Sequence, residues 1–89
     1  MDADSVQTRI EHEIAELRGL FPAITACHSA LLQTKDDGGA HWSLHLDIRA
    51  PQAQVIVSGT AEASAEAAVA AAGRMARERL AALPRTPAP

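Results

Sequence analysis

The segment from Ala40 to Ala50 constrains the fold more than any other part of this sequence. Four apolar residues alternate there with five polar ones, namely Trp42, Leu44, Leu46 and Ile48 with His41, Ser43, His45, Asp47 and Arg49. Strict alternation is typical of an antiparallel strand with one face on the core and the other in water. Another apolar layer must therefore cover the Trp42 side of this strand. The amphipathic segments at the two ends of the chain are the candidates.

Length and composition limit the classes of protein to be considered. A chain of 89 residues holds one small domain, which we assign to residues 1–84, and residues 85–89 contain two prolines and predict a disordered tail. The formal net charge of −3 disfavours non-specific attraction to nucleic acid. Cys27 is the only cysteine, which is typical of a reduced cytoplasmic protein. No apolar run approaches the ~18 residues of a membrane span, so we expect a soluble, cytoplasmic protein without a membrane partner.

Two amphipathic helices are predicted at the ends of the chain. In the first, Asp4 is a candidate N-cap, residues 5–20 form the helix, and Gly19 and Pro22 end it. Its apolar positions recur every three or four residues and comprise Val6, Ile10, Ile14, Leu17 and Phe21. The second is an alanine-rich helix over 64–83, with Ser64 as its cap and Pro84 as its stop.

Between the helices the pattern predicts three strands. Residues 24–35 form the first, although the sequence does not decide whether Cys27, Ser29 and Leu31 or the alternate residues face the core. The turn residues at 36–39 predict a tight hairpin to the Trp42 strand, and residues 55–57 form a third short strand. The predicted fold is α+β with the order αβββα, in which two helices pack on one face of an antiparallel three-stranded meander.

Few residues suggest catalysis or metal binding. His28, His41 and His45 could in principle approach one another on one sheet face, but their spacing matches no compact ligand motif. Cys27 and His28 are adjacent on a strand and so point to opposite faces, which excludes a nucleophile and base pair. We therefore predict no enzymatic activity, no catalytic residue, no metal site and no cofactor.

The residues do resemble a known family. The helix with Ile14, Leu17 and Phe21, then Ile24 to Cys27, a hairpin, the run from His41 to Pro51, and the closing helix resemble the ribosome hibernation-promoting factor and ribosome-associated inhibitor family. The resemblance covers roughly residues 5–83 and is most specific over Trp42 to Pro51. It implies a domain that docks on 16S ribosomal RNA of the small ribosomal subunit, in the decoding channel, and blocks translation without catalysis.

The resemblance also suggests which residues contact RNA, and it shows where this chain differs. The candidate phosphate ligands are Arg9, Arg18, Arg49, Arg74, Arg77 and Arg79. Glu16, Gly19 and Glu78 stand where the family is typically basic. Arg74 and Arg77 fit a solvated helix end equally well. The family domain starts with a strand before the first helix, whereas this sequence starts at the helix. Either the true start codon lies upstream, or the 24–35 strand is an open edge, in which case we expect a homodimer.

Two alternatives remain beside this interpretation. The order αβββα is also that of double-stranded RNA-binding domains, but those open their second helix with a basic cluster, and this chain has Glu66 there. A homo-oligomeric interaction module of the same fold, without RNA binding, suits both the acidic balance and the open edge.

Overall fold

The secondary structure follows the predicted order αβββα. The computed structural model describes residues 3–51 and 53–83 of the protein. Its elements are α1 (Ala3–Leu20), β1 (Ala26–Asp36), β2 (Gly39–Ala50), β3 (Ala53–Ser58) and α2 (Ala65–Ala81). The three strands form one antiparallel sheet with the order β1-β2-β3, which confirms the α+β prediction. The predicted stop at Pro84 and the tail at 85–89 lie outside the described residues.

The helix boundaries confirm most of the predicted signals. Ser64 caps α2, because its hydroxyl accepts a hydrogen bond of 3.1 Å from the backbone N–H of Ala67. The first helix ends at Leu20, as predicted from Gly19 and Pro22. The predicted cap at Asp4 is wrong, since α1 already begins at Ala3 and Asp4 lies in its first turn.

A tight hairpin fixes how β1 and β2 pair. Asp37 and Gly38 form its two-residue turn, the Gly38 N–H donates to the Asp36 carboxylate at 2.8 Å, and Gly39 has φ +107°, which favours glycine. The resulting register places Leu31 opposite Leu44, and opposite residues share a face. The side of β1 that the sequence left open is thereby decided: Cys27 and Leu31 face the helices, and Ala30 and Leu32 face away.

The core lies between β2, β3 and the helices. Helix α2 lies over β2 and β3, and α1 packs chiefly against α2. The core cluster contains large residues from every layer together with small residues of α2, namely Ile10, Leu17, Ile24, Leu44, Leu46, Ile48, Val55, Val57, Val69, Ala72, Ala76 and Leu80. The small side chains let α2 approach the sheet closely. Trp42 differs from the prediction, since it is only half-buried and lies outside this cluster.

After β3 the chain continues along β2 and brings the start of α2 next to Trp42. The backbones of Trp42 and Glu62 exchange two hydrogen bonds of 2.8 and 2.7 Å. Gly59 makes this path possible, because a Cβ atom there would collide with the backbone of Leu44. Ser64 and the first turn of α2 are thereby placed at the end of the sheet that carries Trp42.

Candidate nucleic-acid interface

Charged side chains connect the two helices. Arg77 of α2 donates hydrogen bonds to the carboxylates of Glu13 and Glu16 of α1, the second at 2.9 Å. Glu13 is largely buried, with 16% of its side chain exposed, whereas Arg77 is 41% exposed. The Nε–H of Arg77 is buried and has no hydrogen-bond acceptor among the described residues. We refer to Glu13, Glu16 and Arg77 as the interhelical charge cluster.

The sequence spacing on each helix explains why the cluster forms. Glu13 and Glu16 are three residues apart and so lie on one side of α1. Gly73 lies one turn before Arg77 on α2, and the space that a side chain would fill at Gly73 is occupied by the Glu13 carboxylate. The contacts of Glu13 with Gly73 and of Glu16 with Arg77 show that the helices run in the same direction.

Two more of the candidate arginines flank this cluster. Arg9 lies one turn before Glu13 on α1, and Arg74 lies one turn before Arg77 on α2. Both are exposed, and neither makes an ion pair with another side chain that the structure describes. The helical spacing therefore places Arg9 and Arg74 beside the interhelical charge cluster that contains Arg77.

Arg18 lies on the other flank of α1, about 140° around the helix from Glu13 at 100° per residue. Its positive charge is close enough to Cys27 of β1 to affect the pKa of the Cys27 thiol. Burial raises the pKa of Cys27, and the positive charge of Arg18 opposes that rise in part. Arg18 thus faces the β1 side of the molecule rather than the interhelical charge cluster.

Arg49 and Arg79 lie on two further surfaces. Arg49 projects from the face of the sheet that the helices leave uncovered, where it pairs with Asp47 at 3.4 Å. Asp47 also accepts a hydrogen bond of 3.0 Å from Gln54, and this bond, followed by the Arg49 contact, lowers the pKa of Asp47. Arg79 donates to the backbone carbonyl of Ile56 at the β3 edge. Because these surfaces face different directions, one flat RNA surface cannot contact all six arginines.

The histidines on the uncovered sheet face remain apart. His28 lies opposite Asp47, and His41 lies 3.6 Å from the carboxylate of Asp36 near the hairpin. Within residues 3–51 and 53–83, no three His, Cys, Asp or Glu side chains are close enough together to hold a metal ion. The three-imidazole cluster that the sequence left conceivable is therefore not formed.

The sequence did not predict the open groove at the Trp42 end of the molecule. Its volume is about 630 Å³, and it lies between the first half of α1, the inner face of β1 and the start of α2. Its lining includes the large apolar residues Val6, Ile10, Leu31 and Trp42 and the acidic residue Glu66. The partial exposure of Trp42 follows from this opening. The nearest sequence signal was the weak alternation of β1, whose inner face mixes Leu31 with polar residues.

The described part of the chain contains two helices, and neither is both long and apolar enough to cross a membrane.

Comparison of the chain with protein-family models, with curated proteins and with solved structures finds no match.

Proposed function

We propose that this domain docks on the small ribosomal subunit through the solvent side of its helix layer and inhibits translation as a hibernation factor. The proposal starts from the family resemblance of the sequence. The order αβββα, with both helices on one side of the sheet, is compatible with the fold that this resemblance implies. The observation that supports the proposal is the exposure of Arg9 and Arg74 beside the interhelical charge cluster.

Charge makes this surface the best candidate for contacts with phosphate. The protein as a whole is acidic, so attraction to RNA must come from a local concentration of cations. Arg9 and Arg74 are solvated and are available to phosphate oxygens. Arg77 is already neutralised by Glu13 and Glu16, so it contributes little to binding in the wild-type protein.

Co-sedimentation with purified small ribosomal subunits over a salt series tests the proposal. Each phosphate contact that is removed should weaken binding and lower the slope of log affinity against log salt by about 0.7–0.9. We expect this result for Arg9→Ala and for Arg74→Ala. Arg49→Ala is the control, because it removes the same charge from the opposite side of the molecule, where Arg49 pairs with Asp47.

A gain of binding provides a sharper test. Glu16→Gln removes one of the two acids that neutralise Arg77, and Glu16 is exposed enough that the fold should tolerate the change. We expect tighter subunit binding and a steeper salt dependence. Glu11→Gln, on the flank of α1 that carries Arg18, makes the same change in net charge away from the cluster and should have a smaller effect.

A homo-oligomeric module without RNA binding is the second candidate function. The neutralisation of Arg77 by two carboxylates favours it, because this contact removes a cation from the proposed interface. Wild-type protein that fails to co-sediment with small subunits even at low salt would exclude ribosome docking and leave this second candidate. A short RNA duplex in a parallel binding assay would detect the less favoured activity of a double-stranded RNA-binding domain.

A further inference from the structure

Strand β1 is a long edge strand without the usual protection. It contains 11 residues, and the stretch from Cys27 to Thr34 has no Lys, Arg, Asp, Glu, Pro or Gly. Among the described residues, no strand pairs with the side of β1 that faces away from β2. Edge strands in stable monomers usually carry charges, proline or a bulge that prevents further pairing. The composition of β1 therefore favours the addition of another strand.

The hairpin geometry indicates which backbone groups face this edge. In a hairpin with a two-residue turn, the flanking residues Asp36 and Gly39 exchange hydrogen bonds. Because bonded and non-bonded positions alternate along an antiparallel pair, the backbone groups of Ser29, Leu31 and Gln33 point away from β2. The pairing of Trp42 with Glu62 agrees with this assignment, since Trp42 lies opposite Gln33 and directs its own backbone groups to the other side.

We propose that two copies of the protein pair through antiparallel β1 strands, with Leu31 on the two-fold axis, and form a continuous six-stranded sheet. In this register Ala26 lies opposite Asp36 of the second copy, so all 11 residues of both strands are paired. Such a pair can form about ten backbone hydrogen bonds. This inference does not rest on ribosome docking, because Arg9 and Arg74 lie on the helices and not at the β1 edge.

The side chains are compatible with this register on both faces of the sheet. On the helix side, Leu31 meets Leu31 of the second copy, and Ser29 meets Gln33. These two polar residues are exposed, so the helices leave room for a second strand. On the other side, Leu32 meets Ala30. Leu32 is 49% exposed in the single chain and would be covered in the dimer.

Charge does not oppose this register either. The only basic residue of β1 is Lys35, and the register places it opposite Cys27 of the second copy rather than opposite another lysine. Asp36 lies opposite Ala26 of the second copy and so also meets no like charge. The pairing therefore brings no two like charges into direct opposition, and one strand sequence is complementary to itself.

Two double variants at the same positions test both the interface and its register. Ser29→Glu with Gln33→Lys places opposite charges in contact across the two-fold axis, and Ser29→Glu with Gln33→Glu places like charges there. Both side chains are exposed in the single chain, so the fold should tolerate both variants. The measurement is molar mass by sedimentation velocity and light scattering, from about 1 µM to about 1 mM protein.

We expect the wild type and the Glu/Lys variant to reach the mass of two chains, and the Glu/Glu variant to remain at the mass of one chain with unchanged circular dichroism. At least a tenfold difference in dimer dissociation constant should separate the two variants. A wild type that stays at the mass of one chain throughout would overturn the proposal. A Glu/Glu variant that dimerises as well as the wild type would do so too, because the interface would then lie elsewhere.

A disulfide across the axis tests the register independently. In a Cys27→Ser background, Leu31→Cys should give an interchain disulfide under mild oxidation, because residue 31 lies opposite residue 31 of the second copy. Leu32→Cys is the matched control and should crosslink several-fold more slowly, since Leu32 faces Ala30. Equal rates, or a faster rate for Leu32→Cys, would overturn the Leu31-centred register.

Discussion

Glu13 and Gly73 are complementary across the helix pair, because the carboxylate of Glu13 occupies the volume that a side chain at position 73 would need. This contact lets α1 and α2 approach closely and holds Glu13 within reach of Arg77. An acidic side chain and a glycine, 60 positions apart in the chain, thus set the spacing of the helix layer.

The two tightly packed glycines should respond differently to alanine. A Cβ at Gly59 would collide with the backbone of Leu44, which cannot move aside, so Gly59→Ala should reduce the free energy of unfolding by about 1–3 kcal/mol. The atoms nearest to a Cβ at Gly73 would be the carboxylate and Cγ of the flexible Glu13 side chain, and alanine favours helix over glycine by about 1 kcal/mol. Gly73→Ala should therefore cost less than Gly59→Ala in urea denaturation. The opposite order would show that the Glu13 side chain cannot move.

Arg77 should contribute to stability mainly through Glu13. The Arg77 and Glu13 pair is partly buried, whereas Glu16 is 45% exposed. Replacement of Arg77 by alanine leaves Glu13 without its partner and should cost about 1–3 kcal/mol, between the values for surface and buried ion pairs. Glu16→Ala should cost less than about 1 kcal/mol. Chemical denaturation of both variants measures the difference, and equal costs would contradict this assignment.

Leu46 is a central core residue, with 2% of its surface exposed. Leu46→Ala should reduce the free energy of unfolding by about 2–5 kcal/mol, because it removes buried apolar area and leaves a cavity. The control is Ile56→Ala on the uncovered sheet face, where Ile56 is 50% exposed. This substitution should reduce the free energy of unfolding by less than about 1 kcal/mol. Thermal melting of both variants tests this prediction. An unchanged melting temperature for Leu46→Ala would contradict the assigned core.

Asp47 should titrate below the ordinary range of an aspartate. Its lowered pKa means that its contribution to folding is present above the unfolded pKa and is lost as pH falls through the folded pKa. Carbon-detected NMR of the carboxyl group should show a midpoint below the ordinary aspartate pKa of about 3.9. Gln54→Ala removes the largest cause and should move the midpoint upward. A midpoint that does not move would show that the Gln54 hydrogen bond is not the cause.

Cys27 should react slowly with thiol reagents near neutral pH, because burial raises the pKa of its thiol and so lowers the thiolate fraction. Arg18→Ala removes the positive charge that opposes this rise, so alkylation by iodoacetamide should become slower still. Arg9→Ala, on the other flank of α1, should leave the rate unchanged. Faster alkylation of Arg18→Ala at every pH would point to steric shielding by Arg18 rather than to its charge.

The sequence predicted the elements of the fold well wherever one physical signal dominated. The alternation from Trp42 to Ile48 located β2, the glycines after Asp37 located the hairpin, and Ser64 located the start of α2. These signals are local, because they depend on the period of the backbone and on caps and turns within a few residues. The start of α1 was missed by two residues, since an acidic residue suits both a cap and the first turn.

The surfaces depended on tertiary structure. The weak alternation of β1 could not decide its inner face, which only the register with Leu44 settled. The sequence did not distinguish among the six arginines, whereas the structure places Arg9 and Arg74 beside the interhelical charge cluster of Arg77 and the others on different surfaces. The sequence by itself determined which segments are helix or strand and which residues of β2 are apolar. Only the packing of α1 against α2 decided that Arg77 is neutralised by acids 61 and 64 positions away, because such contacts depend on distances in space that no local period encodes.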